Sequence, residues 1–367
     1  MTAYVDETAQ PIEPVPRDAE AVALAIIGVG RMGMLHAALI ARHVPAIDVV
    51  VFSDSRPEPL RRAGVLFPAA DTVEDGVATA KQPGLEACLV ATSTSNHREV
   101  VEAALEHGIH VFCEKPITLD VQETAALSAQ ARRAGVTLQT GFWRRFSPPW
   151  AVARDALLAG AIGAPVLVRS SQWDASAPPL PFCDRHVSGG LFVDCGVHDF
   201  DIVEWVTGSR ITAVTAPHLR RTNPELTSVG DVDNGMVILE LDDGSAGVID
   251  LTRNGGYDDE VRMEILGTGG SIMVTTDPRG RAVIRTTAGV EELTRPTETR
   301  PFELGVVGEL RAFAARCRNA ETAIPDATDD VRALQVALAA WQSYDSGGRR
   351  IEIDAAPPSP TLGGRPT

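Results

Sequence analysis

The chain is almost devoid of lysine: of 33 basic residues, 31 are arginine and only Lys81 and Lys115 are lysine. Basic charge is also scarce in sum, because 49 acidic residues leave a formal net charge of −16. A phosphate backbone needs an electropositive face and no basic cluster supplies one, so sequence-independent nucleic-acid binding is excluded. The five cysteines, Cys88, Cys113, Cys183, Cys195 and Cys317, are odd in number, widely spaced and never in a CxxC pair. They fit neither a disulfide scaffold nor a structural zinc site, and they suit a reducing cytoplasm. No stretch of 18 apolar residues runs without a charge, so no membrane span is expected. Residues 1–20 carry Asp6, Glu7, Glu13, Asp18 and Glu20 without an apolar core; they resemble neither a signal nor a transit peptide and are expected to form a flexible tail. Residues 355–367, rich in proline and glycine, are expected to be disordered.

What the chain does have is length and alternation. At 367 residues it should hold two domains with a cleft between them. The apolar run Val22–Ile27 feeds Gly28-Val29-Gly30-Arg31-Met32-Gly33, after which 34–43 reads as a helix. Strand, glycine turn and helix in this order are a dinucleotide fingerprint. The first glycine permits the tight turn, the second lets a pyrophosphate approach the backbone, and the third lets helix pack on strand. Amides at the helix N-terminus then hold phosphates. A second strand at 48–52 leads to Asp54-Ser55-Arg56, with Asp54 21 residues beyond Gly33, where a carboxylate accepts ribose hydroxyls. Asp54 favours NAD by repelling a 2′-phosphate, while Arg56 offers such a phosphate a partner; NAD is expected and NADP stays open.

Apolar runs at 87–91, 109–113 and 136–140 alternate with helical segments at 97–107 and 121–134. That order indicates a doubly wound parallel sheet, in which ligands bind beyond the carboxyl ends of the strands. Two segments fall there, Thr92-Ser93-Thr94-Ser95-Asn96-His97 and Glu114-Lys115-Pro116. Thr92, Ser93, Asn96, His97 and Glu114 are expected beside the cofactor, with His97 starting a helix near the nicotinamide and not acting as a catalyst. Lys115 is the first active-site candidate. Arginine stays cationic at any working pH, whereas lysine is compact and its pKa moves on burial, so a site needing a small tunable ammonium cannot accept arginine. Pro116 biases Lys115 away from helical dihedrals and into the cleft. The competing explanation is chance survival of a lysine, which suits Lys81 in its Lys81-Gln82-Pro83-Gly84 loop.

In the second half, Asp194, His198 and Asp201 are spaced i, i+4, i+7 in a segment running helically to Gly208, which puts them on one helix face. One reading makes His198 a proton acceptor oriented by Asp201. The other makes Asp194 a helix cap and His198 a core or surface histidine. A metal site is disfavoured, since one histidine with carboxylates lacks the usual two-histidine framework. Apolar runs at 166–171, 211–215, 236–241, 246–252, 261–266 and 271–275, with an Asp243-Gly244 turn, predict a largely antiparallel sheet. Helices are expected at 306–318 and 329–343, and a closing strand at 351–353. With few helices to cover the sheet, one open face should seek a partner subunit, so a homo-oligomer, dimer or tetramer, is expected.

The glycine turn, Glu114-Lys115-Pro116 and the Asp194 to Asp201 segment together resemble the Gfo/Idh/MocA family of NAD(P)-dependent oxidoreductases over roughly residues 22–354. Gly141-Phe142-Trp143-Arg144-Arg145-Phe146-Ser147-Pro148, the 171–179 segment, Ser188-Gly189-Gly190, Gly230-Asp231-Val232-Asp233 and Gly255-Gly256-Tyr257-Asp258 are similar to its inositol 2-dehydrogenase branch. Between the flexible tail (1–20) and the disordered tail (355–367), the expected organisation is a Rossmann domain (21–145) followed by an α+β domain with a large open-faced, mostly antiparallel sheet (146–354). The resemblance implies catalytic Lys115, Asp194 and His198, with Asp201 supporting His198, and puts Arg144, Asp174, Cys195 and Tyr257 against cyclitol hydroxyls. Trp143 and Trp173 depart from that branch's residues and would tune the substrate. The implied activity is NAD-dependent oxidation of a ring secondary alcohol of a small polyol or cyclitol. An amino-cyclitol or hexose dehydrogenase and an NAD-using glycosidase are the alternatives; a sensor that only binds would need no general base.

Overall fold

A computed structural model describes residues 11–276, 280–294 and 299–353. Six parallel strands, β1 (Val22–Ile27), β2 (Ile47–Ser53), β3 (Asp71–Val73), β4 (Ala87–Val90), β5 (His110–Cys113) and β6 (Leu138–Thr140), lie in the order β3-β2-β1-β4-β5-β6. Helices α1 (Arg31–His43), α2 (Pro57–Leu66), α3 (Gly76–Thr79), α4 (His97–Glu106) and α5 (Val121–Ala134) make the connections. This is the doubly wound Rossmann order, with the strand order reversing between β1 and β4. The central strands are apolar throughout because both faces are covered; in β1 every residue but Ala23 is buried. Helix α5 has local stop signals: Asp120 accepts from the Glu123 amide at its start, and Gly135, at φ 69°, ends it in the left-handed conformation that glycine adopts without strain.

The second sheet has nine strands: β7 (Pro165–Trp173), β8 (Ile211–Thr215), β9 (Asn234–Leu241), β10 (Ala246–Thr252), β11 (Glu260–Gly267), β12 (Gly270–Thr275), β13 (Arg281–Thr286), β14 (Gly289–Glu292) and β15 (Ile351–Glu352). Their order is β14-β13-β12-β11-β7-β10-β9-β8-β15, and β7–β10 is the one parallel pair among antiparallel neighbours. Helices α6 (Pro148–Leu158), α9 (Gly196–Thr207) and α11 (Ala327–Asp345) pack on one face, and the short α7 (Arg185–Ser188) and α8 (Gly190–Asp194) precede α9. Helix α10 (Pro301–Cys317) crosses back: Val306, Leu310 and Phe313 join the core around α1 and β1.

Residues 11–20 carry no helix or strand, yet they are not the free tail expected. Amides of Ile12, Val15 and Asp18 bond to the carbonyls of Leu66, Ala41 and Pro45. Residues 1–10 and 355–367 lie outside the described residues.

The start of α11 docks on the Rossmann sheet. Thr140 N donates to Pro325 O at 3.0 Å, and Ile117 N, just beyond Lys115, donates to Asp330 Oδ2 at 3.0 Å. Burial, with Asp201 and Asp329 nearby, pushes the Asp330 carboxyl up to about 7. A folded pKa above the unfolded value of 3.8 means that the native state binds more protons between the two, so stability falls as pH rises across that window. Asp330→Asn keeps an acceptor for Ile117 and removes the buried charge. Its melting temperature should exceed that of the wild type above pH 7, by several degrees for a gain on the order of 2–4 kcal/mol, and the difference should vanish near pH 4. A pH-independent difference in scanning calorimetry would refute this assignment.

Candidate active site

The glycine turn joins β1 to α1 at the carboxyl edge of the first sheet. Gly28 has φ +93°, and a Cβ there would lie 2.5 Å from the Ala91 and Thr92 backbone. A Cβ on Gly33 would lie 1.9 Å from Gly28 O. On Gly30 the nearest atom would be Arg56 Nη2, at 3.7 Å, so space is kept open where a pyrophosphate would approach. At the end of β2, Asp54 Oδ2 accepts from Val29 N at 3.0 Å, and Arg56 grips both carboxylate oxygens at 3.0 Å through Nε and Nη2. Burial works against the Asp54 charge, but Arg56 and the Val29 amide outweigh it and hold the carboxyl below its ordinary range. An ionised acceptor beside an open glycine cradle fits an adenosine ribose and pyrophosphate. Ser55 is exposed beside it.

The other expected cofactor residues line the next two strand ends. His97 is buried, its ring nitrogens 3.0 Å from Pro116 O and 3.2 Å from Thr92 O, so it ties these loops together. Ser93 and Asn96 sit in the intervening turn, partly buried and exposed, respectively. Glu114 Oε1 meets His36 Nε2 at 2.7 Å and Oε2 accepts from the Lys115 amide, so this carboxylate anchors the turn from below. Met32 is half-buried against the Rossmann core.

Lys115 reaches across to the second domain. Its Nζ donates to Asp194 O at 2.5 Å and to Asp194 Oδ1 at 3.0 Å. Burial alone would depress the ammonium, but Asp194 and Glu114 more than offset it and its pKa is raised. The lysine is tuned upward, to a firm cation, and not down toward a base. His198 is 9% exposed, and burial followed by the charges of Lys115 and Arg144 drives its pKa well below 6.5. A neutral imidazole therefore shares the site with an ammonium and a carboxylate, an arrangement suited to proton abstraction beside a stabilised oxyanion.

A model of an oxidoreductase family with an NAD-binding Rossmann fold matches residues 22–142, and one of the GFO/IDH/MocA C-terminal domain matches 150–273. The chain belongs to the Gfo/Idh/MocA family. Its Rossmann domain is accordingly NAD-binding. It is 33% identical to scyllo-inositol 2-dehydrogenase (NAD(+)) of Bacillus subtilis over 89% of this chain and 95% of that one. It is 31% identical to the myo-inositol 2-dehydrogenase of Thermotoga maritima over 88% and 96%. Among solved structures, scyllo-inositol dehydrogenase from Lactobacillus casei with bound NAD(H) and scyllo-inositol matches with TM-score 0.79 at 27% identity, covering 90% of this chain and 99% of that one.

Several expectations for this Gfo/Idh/MocA site are corrected by the geometry. Asp194 and His198 do not share one helix: Asp194 ends α8, and α9 begins at Gly196 with Cys195 between them. Asp201 does not orient His198, whose Nδ1 is buried without a hydrogen-bond partner among the described residues. Both Asp201 oxygens instead take the fork of Arg145, which also reaches Asp329 at 2.9 Å, because a guanidinium matches a carboxylate bidentately. Arg144 is 1% exposed and committed to Asp199 at 2.8 Å and Gln172 at 2.5 Å, so it shapes the field around His198 and is not presented to a substrate. Trp173 points to the opposite face of the sheet from Gln172, donating to Asp250 at 2.5 Å with Arg262 over its ring. Tyr257 is 63% exposed on the loop after β10 and bonds to Glu260. Cys195 and Asp174 do sit with Asp194: the thiol donates to Asp174 Oδ2 at 3.3 Å, and burial, then Asp194, raises the Asp174 carboxyl.

Sequence reasoning missed Arg253, His36 and Asp330. Each is buried and charged or titratable, His36 and Asp330 within ordinary stretches of helix and Arg253 just past a strand; only the cost of burying such a group in an apolar setting could have flagged it.

Proposed function

We propose that this oxidoreductase removes the hydroxyl proton and the carbinol hydride from a ring secondary alcohol of a cyclitol, the reaction type being myo-inositol to scyllo-inosose. The observation that carries the reading is the Lys115–Asp194 ion pair at the carboxyl edge of an NAD-binding sheet, near enough to the buried His198 for the lysine's charge to help lower its pKa. Three relatives over 30% identical across at least 88% of the chain are named for inositol substrates, which supports the cyclitol. Bound NAD supplies the hydride acceptor. Gly28, Gly30 and Gly33 would leave room for its pyrophosphate, and Asp54 would accept its ribose hydroxyls. His198 takes the hydroxyl proton. Lys115 donates to the reacting oxygen and steadies its developing charge, while Asp194 keeps Lys115 directed and accepts from the same or a neighbouring hydroxyl. Asp174 and Cys195, beside Asp194, complete the polar wall.

The test is NADH and NADPH formation with myo-inositol, scyllo-inositol, D-chiro-inositol, scyllo-inosamine and glucose. Turnover confined to a cyclitol with NAD is expected; silence on every cyclitol by a protein that still binds NAD would overturn the reading.

We also propose a homo-oligomer, dimer or tetramer, assembled on the open face of the second sheet. Strand register puts Leu167, Ile238, Val248, Leu266 and Met273 on that face around an Arg169–Glu264 ion pair. Ile238 and Leu266 remain 44% and 47% exposed. An uncovered apolar sheet face of this kind marks an interface. Light scattering should give a multiple of the 39.0 kDa chain mass, and Ile238→Asp should reduce it; a wild-type monomer at micromolar concentration would exclude the assembly.

A further inference from the structure

Beneath the Lys115–Asp194 pair lies a cation that the proposed reaction does not touch. Arg253 follows β10 with no exposed surface, one of the largest fully buried side chains. Its backbone amide is fixed by Asp233 O at 2.9 Å. Its guanidinium donates from Nη2 to Asp194 Oδ2 at 3.1 Å and from Nη1 to Cys183 Sγ at 2.9 Å, and Nη2 lies 3.6 Å from Asp231 Oδ2. Asp231 in turn accepts the Leu191 amide through Oδ1 at 2.8 Å, three residues before Asp194. The result is an alternating chain of charge, Lys115, Asp194, Arg253 and Asp231, drawn from both domains. Each carboxylate lies between cations or is anchored by backbone. A buried charge survives only with such partners, and an unpaired Asp194 would neutralise itself by taking a proton.

We infer that Arg253 is a positioning residue: by gripping Asp194 Oδ2 it turns Oδ1 toward Lys115 and keeps Asp194 an anion, so that the ammonium is aimed at the reacting oxygen. The inference rests on the role given to Lys115 above. Two features favour it over a purely structural role. The two oxygens of Asp194 are divided, one to each cation, so the rotation of the carboxylate is fixed by the pair. Burial works against the Asp194 charge, and Lys115 and then Arg253 hold its pKa below the ordinary range. The other groups facing Asp194 are Arg31 of the glycine turn, Asp174, Cys195, Asp231 and Cys183. Among them Arg31 alone opposes protonation, so the loss of Arg253 must move the Asp194 titration upward.

The experiment compares Arg253→Met, Arg253→Lys, Asp194→Asn and the double variant Arg253→Met/Asp194→Asn in the full chain. Arg253→Met should lower kcat by about 30–100-fold, move the acid limb of kcat upward by about one pH unit, and leave the NADH dissociation constant within about twofold. Arg253→Lys should hold the limb near its wild-type position, and the double variant should be no slower than Asp194→Asn. An unmoved acid limb in Arg253→Met, or losses that multiply in the double variant, would overturn the inference. Should Arg253→Met fail to fold, Arg253→Lys decides: an ammonium lacks the fork that spans Asp194 and Cys183, so kcat falls about tenfold, and a wild-type kcat refutes the role. If the wild type oxidises no alcohol, the proposed function falls alone. The pH at which the melting temperature drops on acidification then carries the test, since it should rise in Arg253→Met and not in Arg253→Lys, and an unchanged profile in Arg253→Met overturns it.

Discussion

His198→Ala is expected to lower kcat by about 10²–10⁴, the usual worth of a general base, with NAD affinity nearly unchanged. The separation of the two effects follows from the architecture. His198 stands on α9 of the second domain, whereas the glycine turn and Asp54 that would hold the dinucleotide belong to the ends of β1 and β2. The imidazole contacts Phe142 and Trp143 edge-on, at centroid distances of 6.1 and 6.4 Å, and burial drives its pKa down. It stays neutral well below pH 6.5, so its protonation should not limit turnover near neutral pH. The same shift has a stability signature. The unfolded chain takes a proton on this histidine below pH 6.5 and the folded chain does not, so the wild type loses stability as pH falls through that point. His198→Ala should lack that component, which pH-dependent melting reads independently of turnover. Wild-type-like turnover in the variant would remove His198 from the mechanism.

The first domain was almost entirely legible because its signals are local. A continuous apolar strand, three glycines at fixed spacing and an acid at the end of the next strand each constrain the backbone directly, and β1, α1, β2 and α5 fall within a few residues of where the sequence puts them. Of the residues singled out from sequence, Lys115, Asp194, Cys195 and Asp174 are linked by hydrogen bonds, and the charge of Lys115 is felt by His198. What failed was the assignment of partners. The i, i+4, i+7 spacing of Asp194, His198 and Asp201 presumes one unbroken helix, but the chain breaks at Cys195, and Asp201 lies where Arg145 can take it. Arg144 and Arg145 are adjacent and chemically alike, yet one binds Asp199 and the other Asp201. Which guanidinium meets which carboxylate is decided by packing between the turn at Trp143–Phe146, helix and strand distant in sequence, and no local pattern encodes it. Trp173 failed for a simpler reason: in a strand, neighbours point to opposite faces, and the sheet gave the helix-covered side to Gln172.

The substitution that probes the site most sharply is Lys115→Arg. It preserves the positive charge that 31 other positions already supply as arginine, and changes only shape and hydration. Lys115 Nζ is held at 2.5 Å by the Asp194 carbonyl and at 3.0 Å by its carboxylate, in a turn fixed from three sides: the Glu114 carboxylate at the Lys115 amide, the Asp330 carboxylate at the Ile117 amide, and His97 at the Pro116 carbonyl. A guanidinium placed there would satisfy Asp194 as a fork, as Arg145 satisfies Asp201, and would leave no compact donor aimed at the reacting oxygen. The expected loss in kcat is about 10²–10³, the size found when one preorganised donor to a developing oxyanion is removed. Lys115→Met should lose at least as much and should also raise the Asp194 carboxyl, whose strongest stabilising partner is the lysine. If charge alone mattered, Lys115→Arg would resemble the wild type and only Lys115→Met would fail. Steady-state kcat for both variants, with NADH affinity measured by fluorescence to show that the Rossmann domain is intact, separates these cases. A wild-type kcat in Lys115→Arg would make this lysine a compositional accident and leave His198 and Asp194 to carry the chemistry.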